Sequence, residues 1–288
     1  VKRFPKPGET LHINQAQKEF GGGKGANQAI AASRLAADTT FISKVGKDGN
    51  ANFILEDFKK AGIHTQYILT SESEETGQAF ITVDEAGQNT ILVYGGANMT
   101  LSATDVEMSV DAFIGADFVV AQLEVPFEAI EQAFKIARKQ NITTVLNPAP
   151  AIELPKSLLE LTDIIIPNET EAELLTGISI NNESDMKETA TYFLDLGISA
   201  VLITLGEQGT YCAYQEQYKM IPACNVKAID TTAAGDTFIG AFLSELNKDL
   251  SNLESAIRLA NQASSLTVQR KGAQASIPTR KEVEAEYN

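Results

Sequence analysis

The feature that most limits the fold of this chain is the alternation of short apolar runs with amphipathic segments after residue 118. The apolar runs are 118-FVVAQL-123, 143-TTVL-146, 163-DIIIP-167 and 200-AVLITL-205. They are short and rich in β-branched residues, which is typical of strands buried on both faces of a parallel sheet. Segments 128–140 and 185–197 carry apolar residues at helical spacing. Strand–helix–strand repeats of this length predict right-handed crossovers and an α/β three-layer sandwich with a mostly parallel central sheet.

The region before residue 96 shows a different pattern. Segments 76-TGQAFITVD-84 and 89-NTILVYGG-96 flank a turn-like stretch, which predicts a β-hairpin. Residues 9–20 alternate in part as well. We expect a single domain over 1–288 with a small β-sheet lid formed by about 5–20 and 76–98. A plain surface hairpin is the alternative, and the lid is favoured because its segments border the first glycine cluster.

Composition excludes several classes of function. The net charge is −15 and Lys and Arg form no cluster, which argues against a nucleic-acid partner. Cys212 and Cys224 lack metal-ligand spacing and are typical of reduced cysteines in a cytoplasmic protein. The chain has no apolar run of 18 residues, so we expect no membrane association.

The strongest chemical signal is 230-DTTAAGDTFIGAFLSEL-246, a loop of small residues that leads into a helix beginning near Asp236. Small side chains let an anion approach the unpaired N–H groups of the first helical turn. From this pattern alone, Asp236 is equally well explained as a helix cap or as a catalytic carboxylate, and the longer string favours the catalyst. The helix N-terminus is expected to lower its pKa.

The second signal is 21-GGGKGANQAIAASRLA-36, a glycine loop that opens directly into a helix. It is not a P-loop, because Lys24 is followed by Gly25. Gly21, Gly23 and Ala26 match the dinucleotide pattern G-x-G-x-x-A, although the preceding residues make a poor buried strand. A merely flexible loop is a further alternative, and in the functional interpretation Lys24 and Asn27 hydrogen-bond hydroxyl groups.

Three weaker signals follow along the chain. In 167-PNETEAELLTG-177, Asn168 and Glu171 form either a capping box or a site for a phosphate oxygen or metal-bound water. Segment 204-TLGEQGTYCAY-214 predicts a strand, a glycine turn and another strand whose backbone could cradle a nucleotide. The polar loop 270-RKGAQASIP-278 says little by itself.

Taken together, these segments resemble the PfkB sugar-kinase family over essentially the whole chain. The strings that carry the resemblance are 4-FPKPGET-10, 22-GGKGANQA-29, 145-VLNPAPA-151, 166-IPNETEAE-173, 203-ITLGEQG-209, 230-DTTAAGDTF-238 and 271-KGAQASIP-278. The family fold is an α/β sandwich with a β-lid, often dimeric through the lids. The resemblance implies transfer of the γ-phosphoryl group of ATP to O5 of D-ribose, with Mg²⁺ and K⁺ as cofactors.

The resemblance also implies a role for individual residues. Asp236 would activate the sugar hydroxyl, above an anion hole formed by Ala233, Ala234 and Gly235. The sugar would be held by Gly23, Lys24, Gly25, Ala26, Asn27 and Glu124. ATP would be bound by Asn168, Thr204, Leu205, Gly206, Glu207, Gln208, Gly209, Gly235 and Asn261, and Glu171 would act on Mg²⁺ indirectly. The monovalent cation would be held by Asp230, Thr232, Thr267, Arg270, Gly272 and Ser276.

The chain departs from the family pattern at its start. The family opens with a buried strand whose Gly-Ser-x-Asn-x-Asp string ends in a sugar-binding Asp, and 1-VKRFPKPGET-10 begins beyond that string. We therefore expect an incomplete chain, compromised as an enzyme. The alternatives are a family kinase acting on deoxyribose, a nucleoside or fructose; a catalytically impaired sugar-binding protein; and an NAD-dependent oxidoreductase.

Overall fold

The computed structural model describes residues 1, 3–12, 21–85 and 89–287. Ten helices form within these ranges: α1 Lys24–Arg34, α2 Gly49–Ala61, α3 Ala103–Met108, α4 Phe127–Lys139, α5 Lys156–Glu160, α6 Glu169–Thr176, α7 Glu183–Asp195, α8 Ala234–Glu245, α9 Leu253–Thr267 and α10 Arg280–Tyr287. The ten strands are β1 Ser43–Val45, β2 Ile68–Thr70, β3 Gln78–Val83, β4 Asn89–Tyr94, β5 Phe118–Ala121, β6 Thr143–Leu146, β7 Ile164–Ile165, β8 Ala200–Thr204, β9 Gly209–Tyr214 and β10 Gln217–Pro222.

The main sheet has six strands in the order β10-β9-β8-β7-β6-β5. Strands β5 to β8 are parallel, and β9 and β10 are antiparallel to their neighbours. The predicted mostly parallel sheet is confirmed, and each predicted apolar run contains one of its strands. The turn predicted within residues 204–214 is confirmed as the connection between β8 and the antiparallel β9.

Alternate residues along the central strands pack against helices on opposite faces of the sheet. Ile164 and Leu202 join the apolar cluster of α8, α9 and α10, whereas Ile165 and Val201 join that of α4, α5 and α7. All four are fully buried. A one-residue slip of the strand would exchange the side chains of the two faces and disturb the packing of both clusters, so the register is strongly specified. The three-layer sandwich follows from this alternation.

Two small sheets lie outside the main one. Strands β1 and β2 pair in parallel, and β3 and β4 form the predicted antiparallel hairpin, with Gln78 opposite Tyr94. The other part of the predicted lid differs. Residues 5–12 form no strand, since Pro5 and Pro7 lack the N–H group a ladder needs, and residues 13–20 lie outside the described ranges. Among the described helices, none combines the length and the apolar character that crossing a bilayer requires.

Helices α1 and α8 approach each other closely at Gly240. A Cβ atom placed on Gly240 would lie 2.4 Å from Ala31 Cβ and 2.7 Å from the carbonyl oxygen of Gln28. Asn27 contacts Asp236 four residues earlier on both helices, so the helices run parallel with their N-termini side by side. The glycine loop before α1 and the small-residue loop before α8 are therefore neighbours.

We predict that Gly240→Ala destabilises the protein although alanine is the better helix former. The added methyl group has no space against Ala31, and overpacking of this kind costs about 1–3 kcal/mol. Urea unfolding monitored by circular dichroism measures the loss. Gly49→Ala is the matched control, because Gly49 begins α2 and a Cβ atom there meets nothing within 4 Å. Equal stability of the two variants would contradict the close contact of α1 with α8.

Candidate active site

Asp236 is the third residue of α8 and is buried, with 9% of its surface exposed. Its Oδ2 accepts a hydrogen bond from Asn27 Nδ2 at 2.9 Å, and its Oδ1 accepts one from Gln28 Nε2 at 3.0 Å. The helix is capped by Ala233, which makes no side-chain cap bond. Of the two interpretations that the sequence left open, the geometry favours a carboxylate aimed at α1 over a helix cap.

The expected lowering of the Asp236 pKa is reversed. Burial raises the pKa of Asp236 and outweighs the opposing effects of the amide donors and of Lys24. A carboxylate with a raised pKa is a better proton acceptor than a fully solvated one. The sequence pattern could not show this, because burial depends on α1, more than 200 residues away.

The start of α8 presents backbone donors beside Asp236. The Ala234 N–H donates to the Thr231 carbonyl at 3.2 Å. The Thr237 N–H donates to the Ala233 carbonyl at 2.8 Å, which is the first helical hydrogen bond of α8. The N–H groups of Gly235 and Asp236 lie between these two, in the helical turn whose donors lack intrahelical partners. A Cβ atom on Gly235 would meet nothing within 4 Å, so the space beside Gly235 is open.

The glycine loop meets a second carboxylate. The Lys24 N–H donates to Glu124 Oε2 at 2.7 Å, and a Cβ atom on Gly23 would lie 3.4 Å from the same oxygen. Gly23 has a φ of 84°, which favours glycine. Burial raises the pKa of Glu124, against the effect of the Lys24 bond and charge. The other members of the predicted sugar group, Gly25 and Ala26, lie in the first turn of α1.

Asn27 carries an unused hydrogen-bond acceptor at this place. Its Nδ2 is bonded to Asp236, and its buried Oδ1 has no partner among the described residues. A buried polar atom without a partner is costly, and such atoms are often completed by a ligand. Asn27 therefore offers one acceptor next to the carboxylate, where a hydroxyl group can donate to it.

The predicted nucleotide residues gather at the carboxyl ends of β7 and β8. The Thr204 N–H donates to the Pro167 carbonyl at 2.9 Å, which places Asn168 beside Thr204. Glu207 and Gln208 lie in the short helical turn after Leu205, and the turn is bounded by Gly206 and Gly209, both with positive φ. A Cβ atom on Gly209 would lie 2.2 Å from the Ile221 carbonyl, so only glycine fits.

Asn168 and Glu171 form a complete capping box at the start of α6. Asn168 Oδ1 accepts from the Glu171 N–H at 2.8 Å, and the Glu171 carboxylate accepts from the Asn168 N–H at 2.9 Å and from its Nδ2 at 3.0 Å. Burial raises the pKa of Glu171. The box does not exclude a ligand-binding role, because Asn168 also borders Thr204.

Asn261 is less free than the sequence suggested. On α9, its Oδ1 accepts from the Thr210 hydroxyl at 3.1 Å, and its Nδ2 donates to the Pro222 carbonyl at 3.1 Å. The amide thus ties α9 to β9 and to the end of β10. One turn further along α9, Ser264 Oγ donates to the Ala234 carbonyl at 2.9 Å, so α9 also supports the start of α8.

The predicted cation residues are brought together in part. Asp230 accepts from the Thr232 N–H at 3.0 Å and from the Gly272 N–H at 2.9 Å, which joins the two loops. Burial alone would raise the pKa of Asp230, but these bonds outweigh it and lower the pKa. Thr267 donates to Thr237 on α8 at 3.0 Å.

Two further members of this group behave differently. The Arg270 guanidinium pairs with Glu282 at 2.8 Å, so only the Arg270 backbone is available to the loop. Ser276 is fully buried, and its hydroxyl donates to the Ala273 carbonyl at 2.7 Å.

Sequence reasoning missed three amide residues that surround this site. Gln28 touches Asp236 directly, Asn147 accepts from Gln28 at 3.0 Å, and Gln122 donates to Gln28. The sequence feature that could have identified them is a polar residue within a buried helix or just after a buried strand. Gln28 and Asn147 also lie within the sequence strings that carry the family resemblance. Long-range contacts of this kind leave no local pattern.

Comparison with known proteins identifies the family to which this chain belongs. The family model for pfkB family carbohydrate kinases matches residues 1–280. The chain therefore belongs to the pfkB family of carbohydrate kinases.

The chain is also similar to individual members of this family. The chain is 65% identical to a ribokinase of Staphylococcus aureus over 98% of its own length and 93% of that protein. It is 36% identical to a deoxyribokinase of Salmonella typhi, over 97% of the chain and 91% of the relative. Its structure is similar to that of Arabidopsis thaliana ribokinase complexed with ribose and ATP, with a TM-score of 0.89, 33% identity and coverage of 99% and 92%.

Proposed function

We propose that this chain is a ribokinase that transfers the γ-phosphoryl group of ATP to O5 of D-ribose. The observation that carries the proposal is the bond between Asn27 and Asp236, which joins the sugar loop to the carboxylate beside the anion-binding turn of α8. The high identity to the Staphylococcus aureus ribokinase supports ribose as the substrate. The dinucleotide interpretation of the glycine loop finds no support, because its helix packs against α8 and Asp236 rather than opening a nucleotide crevice.

The geometry supports a direct transfer. Lys24, Asn27 and Glu124 hold the sugar hydroxyls, and Asp236 accepts the proton of O5. The O5–Pγ bond forms while the bond from Pγ to the bridging oxygen of ADP breaks, and N–H groups at the start of α8 stabilise the charge on the transferring group. The predicted anion hole of Ala233, Ala234 and Gly235 is revised here, because the Ala234 N–H is bonded to Thr231, and the role falls to the Gly235 and Asp236 N–H groups. The residues at the ends of β7 and β8 hold the remaining phosphates and the nucleoside.

A divalent cation fits the carboxylate-rich surroundings of this site. The charge of Asp236 acts on both Glu124 and Glu171, and the charge of Lys24 acts on all three carboxylates. A polyphosphate would be repelled by these carboxylates unless metal charge offset them. We assign Mg²⁺ to Glu171 through bound water, where it would neutralise phosphate charge.

We predict that Asp236→Asn lowers kcat by about 10²–10⁴-fold, because the proton of O5 loses its acceptor. ADP release with ribose, coupled to NADH oxidation, measures the rate, and calorimetry measures whether ribose and ATP still bind. Deoxyribose, fructose and adenosine in the same assay distinguish the family alternatives.

Asp185→Asn is the matched control for this experiment. Asp185 is also the third residue of its helix, α7, and accepts two hydrogen bonds there at 2.9 and 3.0 Å. It should retain wild-type kcat. If Asp236→Asn kept more than a tenth of the wild-type rate, Asp236 would be structural; if ribose released no ADP from wild type, the proposed substrate would be wrong.

We also propose a monovalent cation, K⁺, behind the start of α8. One carboxylate, hydroxyls and backbone carbonyls of two loops make a donor set that suits a hard cation. The fit rests on Asp230, which holds both loops together and whose pKa is lowered, so it supplies a negative charge at neutral pH. The ion would balance that charge and stiffen the backbone of the anion hole.

The rate should rise several-fold in KCl compared with tetramethylammonium chloride at equal ionic strength. Asp230→Asn should lose this response, because the loop no longer carries a negative charge. Asp249→Asn is the matched control, since Asp249 makes the same type of bond, to the Ser251 N–H at 3.0 Å, far from the loops. Equal rates of the wild-type enzyme in both salts would remove the ion from the mechanism.

The β3–β4 hairpin is the proposed dimer surface. Phe80 and Leu92 are paired across it, as are Ile81 and Ile91, and each of the four is at least half exposed. An isolated two-stranded hairpin that exposes apolar side chains on both faces is marginal by itself. A second copy of the chain, paired lid to lid, would cover these side chains. We place this dimer in the cytoplasm, where ATP is available.

Leu92→Asp should weaken the dimer by about 100-fold or more, since a charge would be buried in an apolar interface. Sedimentation equilibrium measures the association. Ile114→Asp is the control, because Ile114 is 73% exposed but lies outside the hairpin, and it should leave the dimer intact. A wild-type monomer at micromolar concentration, or equal weakening by both variants, would exclude the hairpin as the interface.

A further inference from the structure

A chain of buried amides leads from the edge of the main sheet to Asp236. Gln28 Nε2 donates to Asp236 Oδ1 at 3.0 Å and also to Asn147 Oδ1 at 3.0 Å. Asn147 Nδ2 donates to the Ile166 carbonyl at 3.0 Å, and Gln122 Nε2 donates to Gln28 Oε1. Gln28 and Asn147 are 2% and 7% exposed, so water does not compete for these bonds.

The direction of every bond in this chain is determined by one backbone group. The Ile166 carbonyl can only accept, so Asn147 must turn its Nδ2 toward it and its Oδ1 toward Gln28. Gln28 must then present its Nε2 to Asn147, and the second hydrogen of the same nitrogen reaches Asp236. Gln122 blocks the flipped orientation, because its donor occupies Gln28 Oε1.

The anchoring groups belong to neighbouring strands. Gln122 follows β5, Asn147 follows β6, and Ile166 follows β7, so all three lie at the carboxyl edge of the sheet. A rigid sheet edge is therefore connected by hydrogen bonds to a carboxylate on a helix above it. Groups held in this way are positioned more accurately than groups on loops.

We propose that Gln28 is a positioning residue that aims the Asp236 carboxylate at the sugar hydroxyl, and that Asn147 and the Ile166 carbonyl fix its orientation. This amide relay, defined as Gln28, Gln122, Asn147 and the Ile166 carbonyl, rests on the proposed role of Asp236 as the base. With Oδ1 held by Gln28 and Oδ2 by Asn27, the carboxylate cannot rotate.

The relay also acts on the charge of Asp236. Hydrogen bonds from amides favour the ionised carboxylate and oppose the effect of burial, so they lower the pKa that burial raises. The charged groups acting on Asp236 from the neighbouring elements are Lys24 on α1, Glu124 after β5 and Glu171 on α6. None of these is altered by a substitution of Gln28.

Gln28→Met is the primary test, because methionine has a similar length and no donor. We expect kcat with ribose to fall by roughly 10- to 100-fold, the effect of one hydrogen bond to a charged group. The KM values for ribose and ATP should change little, because Gln28 touches neither proposed ligand. The acid limb of the kcat profile should move to higher pH, since the Asp236 pKa rises when a donor is lost.

A double-mutant cycle tests whether the amides act as a unit. Asn147→Leu should lower kcat by a smaller factor than Gln28→Met. In this variant Gln28 can still donate to Asp236, but Asn147 no longer holds the Gln28 amide in one orientation. In the Gln28→Met background it should have no further effect on kcat. Independent, multiplicative effects would overturn the relay, as would a Gln28→Met enzyme with the wild-type kcat and pH profile.

Thr144→Val controls for the loss of a buried hydrogen bond. Thr144 lies in β6 and donates to the Leu161 carbonyl at 2.7 Å, away from Asp236. This variant should lose stability and retain wild-type kcat. If it slowed turnover as much as Asn147→Leu, the effect of Asn147 would be general destabilisation and the relay would be wrong.

The proposed function and the relay fail separately. If the wild-type enzyme released no ADP with ribose, the proposed substrate would be wrong. The relay would then be tested by a second measurement that does not depend on turnover. That readout is the titration of the Asp236 carboxyl carbon by NMR in wild type, Gln28→Met and Asn147→Leu. The relay predicts a higher midpoint in Gln28→Met than in wild type, and an unchanged midpoint would overturn it.

Discussion

The active site of this protein depends on the contact between α1 and α8 at Gly240. At this point the two helices are as close as backbone atoms allow, because the glycine has no side chain to separate them from Ala31 and Gln28. The contact places two helix N-termini side by side, so the glycine loop and the small-residue loop open into the same space. A larger residue at Gly240 would push α8 away from α1 and so separate the carboxylate of Asp236 from the amides of Asn27 and Gln28.

Local sequence patterns predicted much of the fold and the types of residue expected at the site. They could not predict contacts between residues that are far apart in the sequence. The strands of the main sheet could be recognised because residues such as Ile164, Val201 and Leu202 are β-branched or apolar in short runs, which is typical of strands buried on both faces. Which helix faces meet could not be predicted, because Asn27 and Asp236 are 209 residues apart. Gly240 is an example, because its role in the contact of α1 with α8 depends on its lack of a side chain and leaves no pattern in the sequence.

Electrostatics explain why backbone dipoles suit the proposed binding of ATP by such an acidic protein. The chain carries a net charge of −15, and its site places the buried carboxylates of Glu171 and Asp236 and the half-buried Glu124 near Lys24. Burial raises the pKa of each carboxylate, which reduces the repulsion but does not remove it. Helix N-terminal N–H groups supply a positive potential without a charged side chain, and the proposed Mg²⁺ and K⁺ would supply the remainder.

The same donors require a backbone conformation that costs free energy. Ala233 lies in the left-handed region with a φ of 61°, which costs a non-glycine residue about 1–2 kcal/mol. This conformation turns the chain abruptly into α8, whose first turn carries the N–H groups of Gly235 and Asp236. The Ser264 bond to the Ala234 carbonyl holds the turn from α9, and Asp230 holds the loop that precedes it. The strain at Ala233 is therefore maintained by contacts with α9 and with the 270–276 loop, and these contacts connect the proposed cation site to the geometry of the anion hole.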